Sequence, residues 1–431
     1  MFNLSKSLGD ISFQRIKGTL FNFACRSAGI FAKFLLVIYI SKNMSLEDLG
    51  LYNIIAVTVA WSVYVVGFEF YAYSLRHIVG ETTTVISNHV FNQVIFHLAG
   101  YSVLFVLSPV LVAFDFVPLA LLPYFVLITV FDQLSQECFR ICVALERSQF
   151  ANFIHFIKSG LWVYPLLLLP YFFNKDISVH LILGAWLAGT IVAFGIGAMK
   201  LVRLNVLNFR GARLDFRWIK QGAVVAFPFF IISISQLTMD FSDRYLIDFF
   251  LTKTDVGIYS FYYGIANVPI TLITSVLVSQ YYPRIINIYK FPTSEKERKH
   301  VARKFMVQCL GLAVVTSGAS FLLIQFLLKF IGRQQLLDNI DLFYLMLVQV
   351  MLFSIQVVIQ TVLYARHEDK YLLYSALAAA VMNILINLLL VPMIGVNGAA
   401  IATIASMALM LVARLYKLRT LKNTNEKYGA V

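Results

Sequence analysis

The chain has 431 residues, of which 60% are hydrophobic and 13% charged, and its 35 Lys and Arg against 22 Asp and Glu leave a net charge of +13. Soluble domains carry about 25% charged residues, so this composition excludes a water-soluble globule and points to an integral membrane protein. The basic residues lie mainly in short connections between apolar stretches, a distribution that sets membrane orientation and excludes nucleic acid as a partner.

A membrane-spanning helix needs about 20 residues of low polarity. Twelve stretches qualify: 18–40, 51–73, 90–113, 117–139, 150–173, 179–202, 223–250, 256–280, 305–330, 342–364, 371–391 and 396–416. The expected fold is therefore all-α and integral to the membrane, with twelve transmembrane helices in two pseudo-symmetric six-helix bundles, residues 1–210 and 211–431. Lys6, Arg15 and Lys17 precede the first span and no small-residue cleavage pattern follows it, so that span is expected to stay as an uncleaved signal anchor. Alternate connections hold about 26 Lys and Arg on the side of both termini and about five on the other (Lys42, Lys175, Lys253, Lys329 and Arg333), which predicts cytoplasmic termini.

The halves carry a matching signature. Ser45, Asp48, Gly50 and Tyr52 open the second span, and Thr252, Asp255, Gly257 and Tyr259 open the eighth, at a constant offset of 207 residues. Ser45 and Thr252 are placed to cap the first turns, Asp48 and Asp255 to return the hydrogen bond, and each Gly to let a neighbouring helix approach. Six spans separate the two copies, so the repeats are expected to be parallel. Cys25, Cys138, Cys142 and Cys309 lack metal-ligand spacing and read as packing residues.

Of the ionisable groups inside the spans, seven stand out: Arg26, Lys33, Glu69, Asp132, Asp240, Asp243 and Arg244. Each costs roughly 2.5–3.5 kcal/mol in lipid unless it meets a partner or a wet interior. That makes transport the leading reading. Asn22, Arg26, Gly29 and Lys33 share one face of the first span, and Ser233, Gln236, Asp240, Asp243 and Arg244 one face of the seventh, so the two stripes could face each other across a cleft. Asp240 and Arg244 alternatively form a self-neutralising pair four residues apart. Arg26 has no acid within a turn, so its partner comes from another helix, water or an anionic ligand.

Glu69 lies toward the inner end of span two, as a gate or as a group reaching for the interface. Asp132 is the deeper acid of span four, with Glu137 and Arg140 expected at the headgroups, and Lys158 in span five either snorkels or takes a role in the site. Gln349, Gln356, Gln360, Asn383 and Asn387 read as inter-helical glue. Most of Tyr245, Tyr259, Tyr262, Tyr263, Tyr281 and Tyr282 read as an interfacial belt, and lone histidines such as His97 and His155 as packing residues. The chain has no G-x-x-x-x-G-K-[ST] segment, H-E-x-x-H, paired Cys ligands or nucleophile elbow. No metal, cofactor or catalytic residue is expected, and the chain is not read as an enzyme.

The stretch from Leu363 to Lys370, then Asn383, Asn387, Pro392, Gly395, Gly398, Ala399 and Ala400, resembles the closing helices of polysaccharide transporters, the lipid-linked oligosaccharide flippases that include O-antigen translocases. These belong to the multidrug/oligosaccharidyl-lipid/polysaccharide exporter superfamily. Leu46–Tyr52 with Gly67, Glu69 and Tyr71 resembles the same family's second helix. The resemblance implies a bacterial inner-membrane flippase with spans one, two, seven and eight around a central cavity. Its implied cargo is a polyprenyl-diphosphate-linked oligosaccharide for surface polysaccharide such as lipopolysaccharide O-antigen. Membrane lipid, a polysaccharide polymerase and a chain-length regulator are the further partners it suggests. On that reading Arg26 and Lys33 contact the diphosphate, which Arg suits through its planar fork. Asp240, Asp243 and Arg244 then serve sugar contact or switching, and Glu69 and Asp132 gating or ion coupling. The alternatives are a cation-coupled multidrug antiporter of the same superfamily, which would favour an acid-dominated cavity, and a membrane glycosyl-polymerase, for which the short outer turns leave little room.

Overall fold

In the computed structural model every regular element among the described residues is helical. The structure describes residues 2–173, 176–291 and 293–428, with side chains described between residues 20 and 421 of those ranges, so the side chains of Lys6, Arg15, Lys17 and Lys175 lie outside the described residues. Among the described residues twelve helices are long and apolar enough to cross a membrane, as expected, and the chain is a multi-pass membrane protein. They are α1 (Phe2–Asn43), α2 (Leu46–Gly67), α3 (Thr83–Ala113), α4 (Leu122–Ala144), α5 (Ser148–Phe173), α6 (Val179–Arg203), α7 (Phe216–Phe250), α8 (Lys253–Lys290), α9 (Glu295–Ile331), α10 (Ile340–Ala365), α11 (Asp369–Ile394) and α12 (Val396–Tyr428). Large apolar side chains such as Phe105, Phe172 and Phe326 are exposed on them, which suits a surface whose solvent is hydrocarbon.

The chain divides into two compact units, one of Met1–Tyr39 with Ile54–Ser233 and one of Ile40–Asn53 with Ile234–Val431. Local chemistry explains why the short segment around residue 45 packs with the second unit. Ser45 and Asp48 form a reciprocal cap, with the Asp48 amide donating to Ser45 Oγ at 3.0 Å and the Ser45 amide to Asp48 Oδ2 at 3.1 Å. Thr252 and Asp255 form the same box at α8. The two capped ends cross at their glycines. A Cβ on Gly50 would strike the carbonyl oxygen of Lys253, and one on Gly257 that of Leu46, so only glycine lets the backbones approach this closely. Each copy of the signature is the other's neighbour, and the reciprocal pairs Gly50 with Lys253 and Gly257 with Leu46 keep the 207-residue offset. Arg333 ties the same turn down by donating to the carbonyls of Ser41, Lys42 and Met44 at the end of α1.

In the first unit, Cys138 and Cys142 pack with Ile86, Val90, Ile154 and Ala193, and all four cysteines are buried free thiols, as packing residues should be. α5 is interrupted by a π-helical turn, Ile157–Leu161, that re-aims Lys158. In the second unit, α11 and α12 meet at Gly395, whose φ of 67° and ψ of −148° fall where only glycine is comfortable; this is the backbone reason for the glycine in the Pro392 to Ala400 turn.

Candidate functional site

Three polar clusters carry most of the charges that the spans bury among the described residues, while Arg414 on α12 is buried apart from them against Ser375 and Gln360. The first, in unit one, gathers α1, α4 and α5. Arg26 is exposed and its Nε donates to Asn152 Oδ1 at 3.0 Å, so another helix supplies its partner, and among the described residues the rest of the guanidinium stays open. Gly160 brings α5 against α1 at Gly29, close enough that a Cβ on Gly160 would meet the Gly29 backbone, and Tyr164 donates to the Ala28 carbonyl at 2.8 Å. Lys158 is buried and donates to Asp132 Oδ1 and Gln136 Oε1, both at 2.9 Å. It does not snorkel, because the π turn points it inward to an acid that would otherwise be uncompensated. Asp132 is thereby half of an ion pair. Lys33 is exposed and lies within electrostatic reach of Asp132 and Lys158. Three basic groups against one acid leave this cluster net positive.

The second cluster centres on Glu137, which the sequence places at the headgroups and the structure buries among polar partners. Its carboxylate accepts from Gln93 Nε2 at 2.6 Å, Arg140 Nη1 at 2.7 Å and Gln133 Nε2 at 3.3 Å. Gln133 also meets His97 Nδ1 and receives Tyr101 OH, so His97 belongs to a network and not to plain packing. Arg140 lies over the Tyr71 ring at 3.6 Å, and Tyr71 hydrogen-bonds Glu69. Glu69 does not reach for the interface. It is buried and accepts from Ser233 Oγ at 2.9 Å. The chain breaks there, with φ of 50° at Phe68 and 54° at Glu69, a left-handed pair that bulky residues rarely adopt. Stacking of Phe68 on Phe230 at 4.5 Å and of Phe70 on Phe96 at 4.4 Å holds the break in place.

The third cluster, in unit two, centres on Asp243, which is 1% exposed. Its Oδ2 accepts from Tyr259 OH at 2.5 Å and Thr403 Oγ1 at 2.8 Å, and its Oδ1 from Asn387 Nδ2 at 2.8 Å. Asn387 also donates to the Asn383 carbonyl, and Asn383 accepts from Ser242. Four helices, α7, α8, α11 and α12, thus converge on one carboxylate. Arg244 is buried too; its Nη1 donates to the main-chain oxygen of Asp240 at 2.9 Å and its guanidinium lies 4.3 Å from the Tyr263 ring centre. The expected Asp240–Arg244 pair is therefore made through the backbone, and the Asp240 carboxylate takes Gln236 Nε2 instead. Tyr259 and Tyr262 are fully buried and so are not belt residues; Tyr262 donates to the Leu336 carbonyl.

The structure thus brings Lys33 near Asp132, and Asp240 to Arg244, while Glu69 joins neither set. Sequence reasoning missed Glu137, Gln93 and Gln133 and assigned Asn387 to glue. For the last, a signal existed: Asn383 and Asn387 share a face, as do Asp240, Asp243 and the polar residues before them.

No protein-family model matches the chain, and no curated protein matches it in sequence. Solved structures do. A multidrug resistance MATE family transporter of the MOP superfamily in an inward-facing conformation gives a TM-score of 0.75 at 13% identity over 92% of this chain and 96% of that one. The lipid II flippase MurJ in an inward closed conformation gives 0.68 at 12% identity over 94% and 87%. The MATE transporter VcmN of Vibrio cholerae gives 0.57 at 15% identity over 96% and 98%. The chain shares the fold of these proteins along nearly its whole length.

Proposed function

We propose that the chain is a flippase that moves a polyprenyl-diphosphate-linked oligosaccharide, such as an O-antigen repeat unit, across the bacterial inner membrane by alternating access. Its termini are cytoplasmic and its repeats are the two bundles, residues 1–210 and 211–431. The observation that carries the reading is the net-positive cluster on α1, α4 and α5. Arg26 and Lys33 are exposed within an apolar span, where a diphosphate in low dielectric would need cationic hydrogen-bond donors. Likeness of fold to the lipid II flippase MurJ supports a lipid-linked cargo. Arg244 and Asp243 are enclosed, so the second unit meets cargo through Asp240, and Asp243 suits the coupling role better. A carboxylate on α7 that accepts from two hydroxyls and one amide N–H on three further helices can exchange a proton or a sodium ion and thereby alter how those helices pack. Glu69 gates at the helix break, and Asp132 sets the charge of the cationic cluster through Lys158.

The second reading, a cation-coupled multidrug antiporter, is favoured by the likeness to the MATE transporters and by the Asp243 cluster itself. Deletion of the gene separates them. The flippase reading expects lipid-linked repeat units to accumulate on the inner leaflet and to be cleared by wild type but not by Arg26→Ala; normal surface polysaccharide with heightened drug sensitivity would favour the antiporter.

A further inference from the structure

α8 and α9 run far beyond the bilayer core. With 38 and 37 residues at about 1.5 Å each, both exceed the roughly 30 Å of hydrocarbon, and counting from Lys253 places residues 280–284 about 40–46 Å along the helix, at headgroup depth. At that depth a cavity of about 250 Å³ opens between them, lined by Gln280, Tyr281 and Arg284 on α8 and by Lys304 and Gln308 on α9. The lining follows from helical spacing: Gln280 and Arg284 are four residues apart on one helix, Lys304 and Gln308 four apart on the other. Tyr281 forms the floor, buried and stacked on Phe305 at 4.7 Å, with Ile285, Val301 and Cys309 packed around it.

Two cations therefore border one hollow. Among the described residues neither Arg284 nor Lys304 makes a hydrogen bond or an ion pair, and Glu295 in the first turn of α9 is taken by Lys299 at 2.5 Å. Like charges placed together repel, and an oxyanion between them would relieve this. A guanidinium, an ammonium, two amides and a phenol supply donors for several oxygens. The volume exceeds by far the roughly 30 Å³ share of one water, so it accepts a phosphoryl group with its ester oxygens. None of these five residues belongs to the clusters described above.

We infer that the cavity bounded by Arg284, Lys304, Gln280, Gln308 and Tyr281 is a binding site for the phosphate of an anionic lipid. Basic hollows between helices at headgroup level are suited to such groups. Two sources share this chemistry, an acidic glycerophospholipid of the bilayer and an isoprenoid diphosphate.

The test is native mass spectrometry of the full chain, released from phosphatidylcholine nanodiscs and titrated separately with phosphatidylglycerol and farnesyl diphosphate. R284Q/K304Q should bind at least one probe about tenfold more weakly than wild type, while K296Q/R303Q, which removes the same charge from the N-terminal part of α9 outside the cavity, should bind it as wild type does. Loss for phosphatidylglycerol alone assigns the bilayer lipid, and loss for farnesyl diphosphate alone assigns the isoprenoid. Unchanged binding of both probes by R284Q/K304Q, or an equal loss in K296Q/R303Q, overturns the site. The flippase reading is judged separately by translocation with Arg26→Ala, so the two can fail independently.

Discussion

Asp243→Ala would strip the common acceptor from three helices at once. Tyr259, Asn387 and Thr403 would each keep a buried donor with no carboxylate to receive it. A buried donor left unpaired costs about 1–3 kcal/mol, and because the groups share one site their costs are not additive, so the expected loss of stability is roughly 3–6 kcal/mol. Asp243→Asn should behave differently. Its carbonyl can accept from Asn387, and its amide can face the two hydroxyls, which have lone pairs to offer. The charge and the acceptor of the two hydroxyl protons are lost, but the amide's own donation to those oxygens offsets part of this, which leaves a loss of about 1–3 kcal/mol in total. Thermal unfolding of the purified protein in detergent should therefore rank wild type, then Asn, then Ala. In proteoliposomes Asp243→Asn should be folded yet indifferent to an imposed ion gradient. Equal stability of Asp243→Ala and wild type would refute the account of the cluster, and wild-type gradient dependence in Asp243→Asn would remove Asp243 from coupling.

Gly50→Ala and Gly257→Ala force a methyl into facing backbone and should each destabilise by about 1–3 kcal/mol or more, whereas Gly264→Ala, whose Cβ meets nothing within 4 Å, should unfold at or above the wild-type temperature. Lys158→Met and Asp132→Asn should each cost about 3–5 kcal/mol because they strand a buried partner, and the double variant should cost less than the two together; strict additivity in the double-mutant cycle would show that the pair is not coupled. Glu137→Leu should lower the unfolding temperature more than Glu81→Leu, since Glu137 holds three donors and Glu81 is exposed; the reverse order would contradict the buried network.

Local features were legible in the sequence. The reciprocal caps at Ser45 and Thr252, the glycines that follow them and the twelve apolar stretches all depend on residues within a turn or a span, and all are present in the structure. The site was legible only in part, because its geometry joins residues far apart in the chain. Asp243 takes Asn387 and Thr403 from 144 and 160 positions away, and no spacing rule links such residues. Lys158 was ambiguous because its direction depends on a π turn that periodicity at 3.6 residues does not reveal. Phe68 and Glu69 hide a helix break, since residues of their kind seldom carry positive φ and Gly67 just before them does not mark it. Glu137 read as an interfacial acid because its three donors were not visible as neighbours, although Gln133 and Arg140 lie within four residues of it.

The most direct measurement reconstitutes the full chain in vesicles holding a polyprenyl-diphosphate-linked oligosaccharide and follows its exposure to a membrane-impermeant lectin or glycosidase. The account predicts protein-dependent transfer between leaflets that is lost when Arg26 and Lys33 are both changed to Ala. Transfer at the rate of protein-free vesicles, together with gradient-driven efflux of a lipophilic cation by the same preparation, would contradict it.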